Sequence, residues 1–234
     1  MKEIEIQEID ALQACLQAYQ SFPVVMIQFP EVFGLMAMPN KEGVDGLNRV
    51  KSRLPEKYYG SVIGNTHKFL GLGIDSGNLA YLNSEEDILK LEGSIIRIRV
   101  DKDEKSSFAC LNGTHQGLLF KESPTRELFK KLEIAFETSA DPTLFLGHSY
   151  SAPLCTSANL SGHPDGSITN LENARIFGKK MGISLLLRAS DYIATEKGSY
   201  PVLALEKSRI LVERKGPGLD EIISRFEPGL FQYR

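Results

Sequence analysis

Apolar runs of strand length alternate along this chain with segments of helical period, and that interleaving restricts the folds open to it. Val24–Gln28 is apolar and β-branched enough for a buried strand, and residues 59–63, 94–100, 117–120, 183–188, 201–205 and 210–212 read as further strands. Ile6, Ile9, Leu12, Cys15, Leu16 and Tyr19 recur at helical spacing and predict an amphipathic helix over 7–20, stopped by Pro23. Val44, Leu47 and Val50 mark a second helix, ended by Pro55, which disfavours the α conformation at Leu54. Leu128, Phe129, Leu132 and Ala135 share one face of a helix over 125–136. Thr169-Asn170-Leu171-Glu172 has the capping-box pattern and opens a helix to about Lys180, with Gly182 as its C-cap and a last short helix over 219–226. Residues 143–146 read as a short strand and 101–116 as a polar loop or hairpin. With no repeat, low-complexity tract or linker in view, the expectation is one α/β domain over residues 1–234.

Composition narrows the class. Hydrophobic residues at 42% and charged residues at 24% are ordinary for a globular protein that needs neither metal nor disulfide to hold its core. No run approaches the roughly 20 apolar residues of a membrane helix, and Glu3, Glu5, Glu8 and Asp10 argue against a secretory signal. Cys15, Cys110 and Cys155 are odd in number, far apart and without a CxxC spacing, as expected of reduced thiols in a cytoplasmic protein. A net charge of −3 gives no global attraction to nucleic acid. His67, His115, His148 and His163 are scattered, so no metal set is expected, and the P-loop, HExxH and GxSxG patterns are absent.

Three constellations carry chemistry. Lys51-Ser52-Arg53, followed by Lys57, sets two long cations about 200° apart on a helix; they converge only if the helix unwinds, as Pro55 favours, and could then clamp carboxylate or phosphate. The same spacing also fits cations set against the negative end of the helix dipole. Cys155-Thr156-Ser157-Ala158-Asn159, then Leu160-Ser161-Gly162, runs from an apolar strand into a loop dense in donors and acceptors. Such a loop suits phosphate or amino-acid recognition, or a turn closed by its own side-chain bonds. Arg214-Lys215-Gly216 follows a strand and is uninformative alone.

In their order along the chain, Phe33-Gly34-Leu35, Lys51-Ser52-Arg53 with Lys57, Thr156-Ser157-Ala158-Asn159-Leu160-Ser161-Gly162 and Arg214-Lys215-Gly216 resemble the motifs of the YrdC-like family, over about residues 7–218. The resemblance implies a twisted, open, mixed α/β sheet with flanking helices. It further implies a threonylcarbamoyl-AMP synthase using ATP with Mg2+, threonine and bicarbonate, whose product serves tRNA modification. On this reading Lys51 and Arg53 are catalytic, while Lys57, Thr156, Ser157, Asn159 and Arg214 bind substrate or nucleotide. Catalysis would be positioning and charge stabilisation, without a covalent protein nucleophile.

Departures from the family pattern are equally specific. The Pro-Thr pair expected before the Phe-Gly step has no counterpart in Ile27-Gln28-Phe29-Pro30-Glu31. Lys57-Tyr58-Tyr59 stands where Lys-Pro-Leu is usual, an expected strand arginine falls near Leu119 or Phe120, and Ser199-Tyr200-Pro201 replaces a Ser-Thr-Val step. Two further functions therefore stand beside the synthase: a non-catalytic paralogue that binds double-stranded RNA or the ribosome, and a nucleotide-binding enzyme with another carbamoyl or acyl substrate.

Overall fold

The computed structural model describes residues 1–52, 58–75, 77, 79–160, 166–189 and 198–234. Its centre is a mixed sheet ordered β1 (Lys2–Glu5), β9 (Leu185–Arg188), β2 (Val24–Gln28), β3 (Phe33–Ala37), β8 (Leu154–Ser157), β4 (Gly60–Val62), β7 (Thr114–Leu119), β5 (Ser94–Arg99), β10 (Val202–Glu206), β11 (Arg209–Arg214), β12 (Phe231–Tyr233), with β6 (Cys110–Leu111) paired beside β7. Parallel and antiparallel ladders mix: β2 to β3, β3 to β8 and β8 to β4 run antiparallel, whereas β4 to β7 and β5 to β10 run parallel. This is the α/β architecture with an open mixed sheet that the motif order implied.

Side chains alternate across the strands and feed two cores. Val24, Met26, Leu35 and Leu154 face one side, where α2 (Lys41–Lys51), α3 (Thr66–Gly71), α4 (Glu85–Leu89), α6 (Leu171–Lys180) and α7 (Leu219–Ser224) pack. Val25, Ile27, Met36, Cys155 and Leu118 face the other, under α1 (Ala11–Ser21) and α5 (Pro124–Ala135), which touch each other. That pair covers the β1-to-β7 part of its face. Beyond it, Arg97, Arg99, Leu211 and Glu213 of β5 and β11 line an open groove.

Several expectations are corrected. The first helix begins at Ala11, not residue 7, because Ile4 and Ile6 are drawn into the parallel pairing of β1 with β9. Ile9 falls in the intervening turn and is 98% exposed. The second helix ends at Lys51, before Pro55: Ser52 turns left-handed (φ 47°, ψ 56°) and its N–H closes on Asn48 O. Residues 143–146 are not a strand. Pro142–Phe145 forms a 3-10 turn, started by Asp141, whose carboxylate accepts from Thr143 N at 2.9 Å. The cap of α6 is Asn170, not Thr169, with Asn170 Oδ1 accepting from Asn173 N at 2.8 Å. Gly182 follows that helix with φ 71°, the left-handed position glycine suits best.

One buried polar network ties the centre of the sheet together. His115 on β7 is 1% exposed, among Phe69, Phe145 and Tyr150. Its Nδ1 donates to Ala109 O at 2.8 Å, which leaves Nε2 to accept from the Ser61 hydroxyl at 2.9 Å. Burial pushes the imidazole down from 6.5 to about 4, partly offset by the Ala109 bond. A folded-state value below the unfolded one gives stability that is intact above pH 6.5 and lost as pH falls towards 4, by about 3 kcal/mol for this shift. Urea unfolding compared at pH 7 and pH 4.5 should show that loss, and His115→Gln should flatten the difference relative to the wild type.

Candidate ligand cleft at the edge of the helical cover

Lys51 is the last residue of α2 and only 2% exposed. Its ammonium donates to Ser157 O at 2.7 Å, Asn159 Oδ1 at 2.8 Å and Asn159 O at 2.9 Å. Three donors thus meet three oxygens around the buried cation. Ser157 Oγ also donates to Asn159 Oδ1 at 2.8 Å, and Asn159 Nδ2 donates to Leu160 O at 3.1 Å. Basic motif and small-residue loop, 106 residues apart, thus form one unit. The Phe33-Gly34-Leu35 step joins it through the ladder, where Gly34 pairs with Ser157 and Leu35 with Thr156. Arg53, Lys57, Ser161 and Gly162 lie outside the described residues.

Beside this unit, where α1 and α5 stop covering the sheet, a cleft opens. Four adjacent strands supply it: Cys155, Thr156 and Ser157 from β8, Gly60 and Ser61 from β4, Gln116 and Leu118 from β7, and Ile95 from β5. Phe29, Val32, Tyr58 and Tyr200 enclose it, and Arg214 stands at the far mouth. Among the described residues lining it, Arg214 carries the charge and no carboxylate is present. Arg214 donates through Nη2 and Nε to Tyr200 O at 2.8 and 3.1 Å. Desolvation at the wall, and then the like charge of Arg97, lower its pKa from the usual arginine value. Burial pushes the Cys155 thiol up to about 12, so it stays protonated and is no nucleophile at neutral pH.

The family departures converge here. The Phe29 ring lies across β3 so closely that a Cβ on Gly34 would come within 2.2 Å of it. Phe29 packs on Phe120 and Phe129, with centroids 5.4 and 6.4 Å away, and Phe120 meets the Tyr200 ring edge-on at 5.6 Å. Phe120, rather than Leu119, belongs to this face; Leu119 is in the opposite core. An aromatic cluster therefore stands where the family pattern calls for threonine and arginine. Sequence reasoning missed the floor residues Val32, Ile95, Gln116 and Leu118. They come from separate elements, and no local pattern marks them as neighbours.

No family model matches the chain, and no curated protein matches it. Solved structures do. P. abyssi Sua5 complexed with L-threonine matches with TM-score 0.64 and 16% identity, over 100% of this chain and 63% of that one. E. coli YciO matches with TM-score 0.62 and 10% identity, over 94% of this chain and 96% of that one. T. kodakarensis HypF matches with TM-score 0.54 and 18% identity, covering 88% of this chain and 24% of that one. The class is thus an α/β protein with a mixed open sheet and a cleft on its half-covered face. Its fold is the one shared by Sua5 and YciO, the YrdC-like fold. The chain spans 63–65% of the length of the Sua5 chains it matches. No helix among the described residues is long and apolar enough to cross a membrane.

Two substitutions test this anatomy. Lys51→Met removes the donor shared by Ser157 O, Asn159 O and Asn159 Oδ1 and should lower unfolding stability by about 1–3 kcal/mol in urea titration. Gly34→Ala collides with Phe29 and should cost about 1–3 kcal/mol as an overpacked site, whereas Gly34→Ala combined with Phe29→Leu should recover most of it.

Proposed function

We propose that the cleft is the site of an ATP-dependent adenylation of the threonylcarbamoyl-AMP synthase type. Bicarbonate and an amino-acid amine give a carbamate. The carbamate oxygen then attacks the α-phosphorus of ATP, and pyrophosphate leaves. The observation that carries the reading is the Lys51-locked loop of Thr156, Ser157 and Asn159 at one end of a cleft with no carboxylate among its described lining residues, with Arg214 at the other. Thr156 and Ser157 offer hydroxyls and loop backbone to phosphate oxygens, Asn159 is held in place by Lys51, and Arg214 pairs an anionic group. Lys51 acts by positioning, since its three donors hold the loop. Arg53 and Lys57 are the further cations this reading assigns to the phosphates. Magnesium enters as part of the ATP complex. The described residues bring no three His, Cys, Asp or Glu side chains together to hold it, and no step depends on a protein-bound ion. On this reading the product serves tRNA modification, with threonine as the family substrate.

The RNA-binding alternative would use the open groove over β5, β10 and β11, lined by Arg97, Arg99, Lys207, Arg209 and Arg234. Four of these cations are already ion-paired: Arg97 and Arg234 with Glu213, Arg209 with Glu206 at 2.5 Å, and Lys207 with Asp75 at 3.5 Å. A face so neutralised releases few counterions on meeting a duplex, so adenylation is the better-supported reading.

Incubation with ATP, magnesium, bicarbonate and threonine, followed by mass spectrometry and pyrophosphate release, tests it. Formation of an acyl- or carbamoyl-adenylate is expected, and Asn159→Ala should reduce the rate at least about tenfold, as for loss of one buried polar contact. Absence of any ATP binding by the folded protein would overturn the reading.

A further inference from the structure

Gln116 reaches into the cleft from β7, and its carboxamide lies over Gly60 of β4, which pairs in turn with Cys155 of β8. Gly60 leaves the room for it: a Cβ there would come within 3.1 Å of Gln116 Cγ and 3.5 Å of Nε2. The polarity of the carboxamide is set from behind. Arg97 Nη2 meets Gln116 Oε1 at 2.8 Å. A guanidinium only donates, so the atom it meets is the amide oxygen, and the NH2 group is turned the other way. Nε2 has no hydrogen-bond partner among the described residues, which leaves its hydrogens to the cleft. Arg97 is itself held by its ion pair with Glu213 of β11, a carboxylate only 13% exposed.

A β-bulge completes the arrangement. Val202 pairs with Arg214 but Leu203 with Val212, so Glu213 is an extra residue in β11. Consecutive strand residues normally face opposite ways. The bulge lets Glu213 meet Arg97 while Arg214, the next residue, lines the cleft. The hydroxyls in the lining, those of Tyr58, Thr156, Ser157, Ser199 and Tyr200, can donate or accept. The Gln116 amide nitrogen and the Arg214 guanidinium can only donate. Two donor-only groups, in a cleft with no carboxylate among its described lining residues, call for ligand oxygens that only accept.

We infer that Gln116 is a ligand-binding side chain of this cleft, whose amide N–H groups bind an anionic oxygen of the ligand (carboxylate, carbamate or phosphate), and that Arg97 with Glu213 positions it. The inference deepens the adenylation reading and rests on it for the ligands tried, not for the geometry.

The test is calorimetric titration of the intact chain with magnesium ATP, with pyrophosphate and with threonine. Gln116→Met removes the donor without adding charge and should weaken at least one of these ligands about 10–100-fold, as for a lost hydrogen bond to a charged group. Gln116→Glu gains an ion pair with Arg97 and should lose at least as much affinity with its melting temperature undiminished. Arg97→Met combined with Glu213→Gln keeps the net charge and frees the carboxamide. It should cost about 3–10-fold, the size of one neutral hydrogen bond. Arg97→Lys, still a donor to Oε1 and a partner for Glu213, should restore the affinity. A loss for threonine alone places the oxygen on a carboxylate; a loss for ATP and pyrophosphate places it on a phosphate. Unchanged affinity for all three ligands in Gln116→Met, or in the double variant, overturns the inference. If Gln116→Met melts early, Gln116→Glu decides by the same criterion. Should ATP alone fail to bind the wild type, the adenylation reading falls, and the threonine and pyrophosphate titrations still decide the inference. Binding of none of the three overturns both.

Discussion

A buried lysine ammonium cannot be left without acceptors, and in this chain that requirement organises the site. Lys51 reaches across from the end of α2 to two carbonyls and a side-chain amide of the β8 loop. These three oxygens must stay in place together for the buried charge to keep its hydrogen bonds. Asn48, one turn earlier on the same helix, accepts from Tyr59 OH at 2.7 Å and ties α2 to the entry of β4 as well. The helix end, the loop and two neighbouring strands are thereby held in one geometry. A cation that the motif resemblance marks as catalytic thus fastens the loop beside the cleft.

Where the cleft lies follows from an imbalance between the two faces of the sheet. Among the described residues five helices pack on one face, and α1 and α5 cover part of the other. A strand beyond the reach of a helix keeps its alternation but loses its cover. Outward positions of β7 and β5 are accordingly mixed, with Leu118 and Ile95 beside Gln116 and Arg97. The cleft is the boundary strip, apolar where it adjoins the covered core and polar where it runs into the open groove. Its floor therefore has core-like rigidity, while its mouth holds a cation with solvent access.

The aromatic cluster of Phe29, Phe120, Phe129 and Tyr200 gives that boundary its particular chemistry. Phe29 can lie across β3 because Gly34 has no side chain to oppose it, so the Phe-Gly step and the bulky residue five positions earlier depend on each other. Changes that look independent along the chain are one repacking event in space. Ring packing fills this wall, and beside it the loop fastened by Lys51 keeps its hydrogen bonds. Framework and specificity are thus separable here: one is built from buried polar contacts that tolerate little change, the other from side chains that can be exchanged by volume.

Local periodicity and punctuation determined much of the fold without reference to tertiary contacts. The strands at Val24–Gln28 and Ser94–Arg99 and the helices at Lys41–Lys51 and Pro124–Ala135 were legible because apolar spacing, proline and capping residues act over a few residues. The motif order also named Lys51, Thr156, Ser157 and Asn159; hydrogen bonds bring Lys51, Ser157 and Asn159 together, and Thr156 precedes them on β8. Arg214 reaches the same cleft from its far side. What only the tertiary structure decided depends on partners distant in sequence. Lys-Glu-Ile-Glu becomes a strand because β9 offers a parallel edge, and residues 142–145 curl rather than extend because Asp141 caps them. The cleft floor is the clearest case: Ile95, Leu118 and Cys155 sit in three strands whose neighbourhood is set by sheet order. A ladder joins residues by hydrogen bonds that no single segment encodes, so the chemistry of that floor exists only once the sheet has closed.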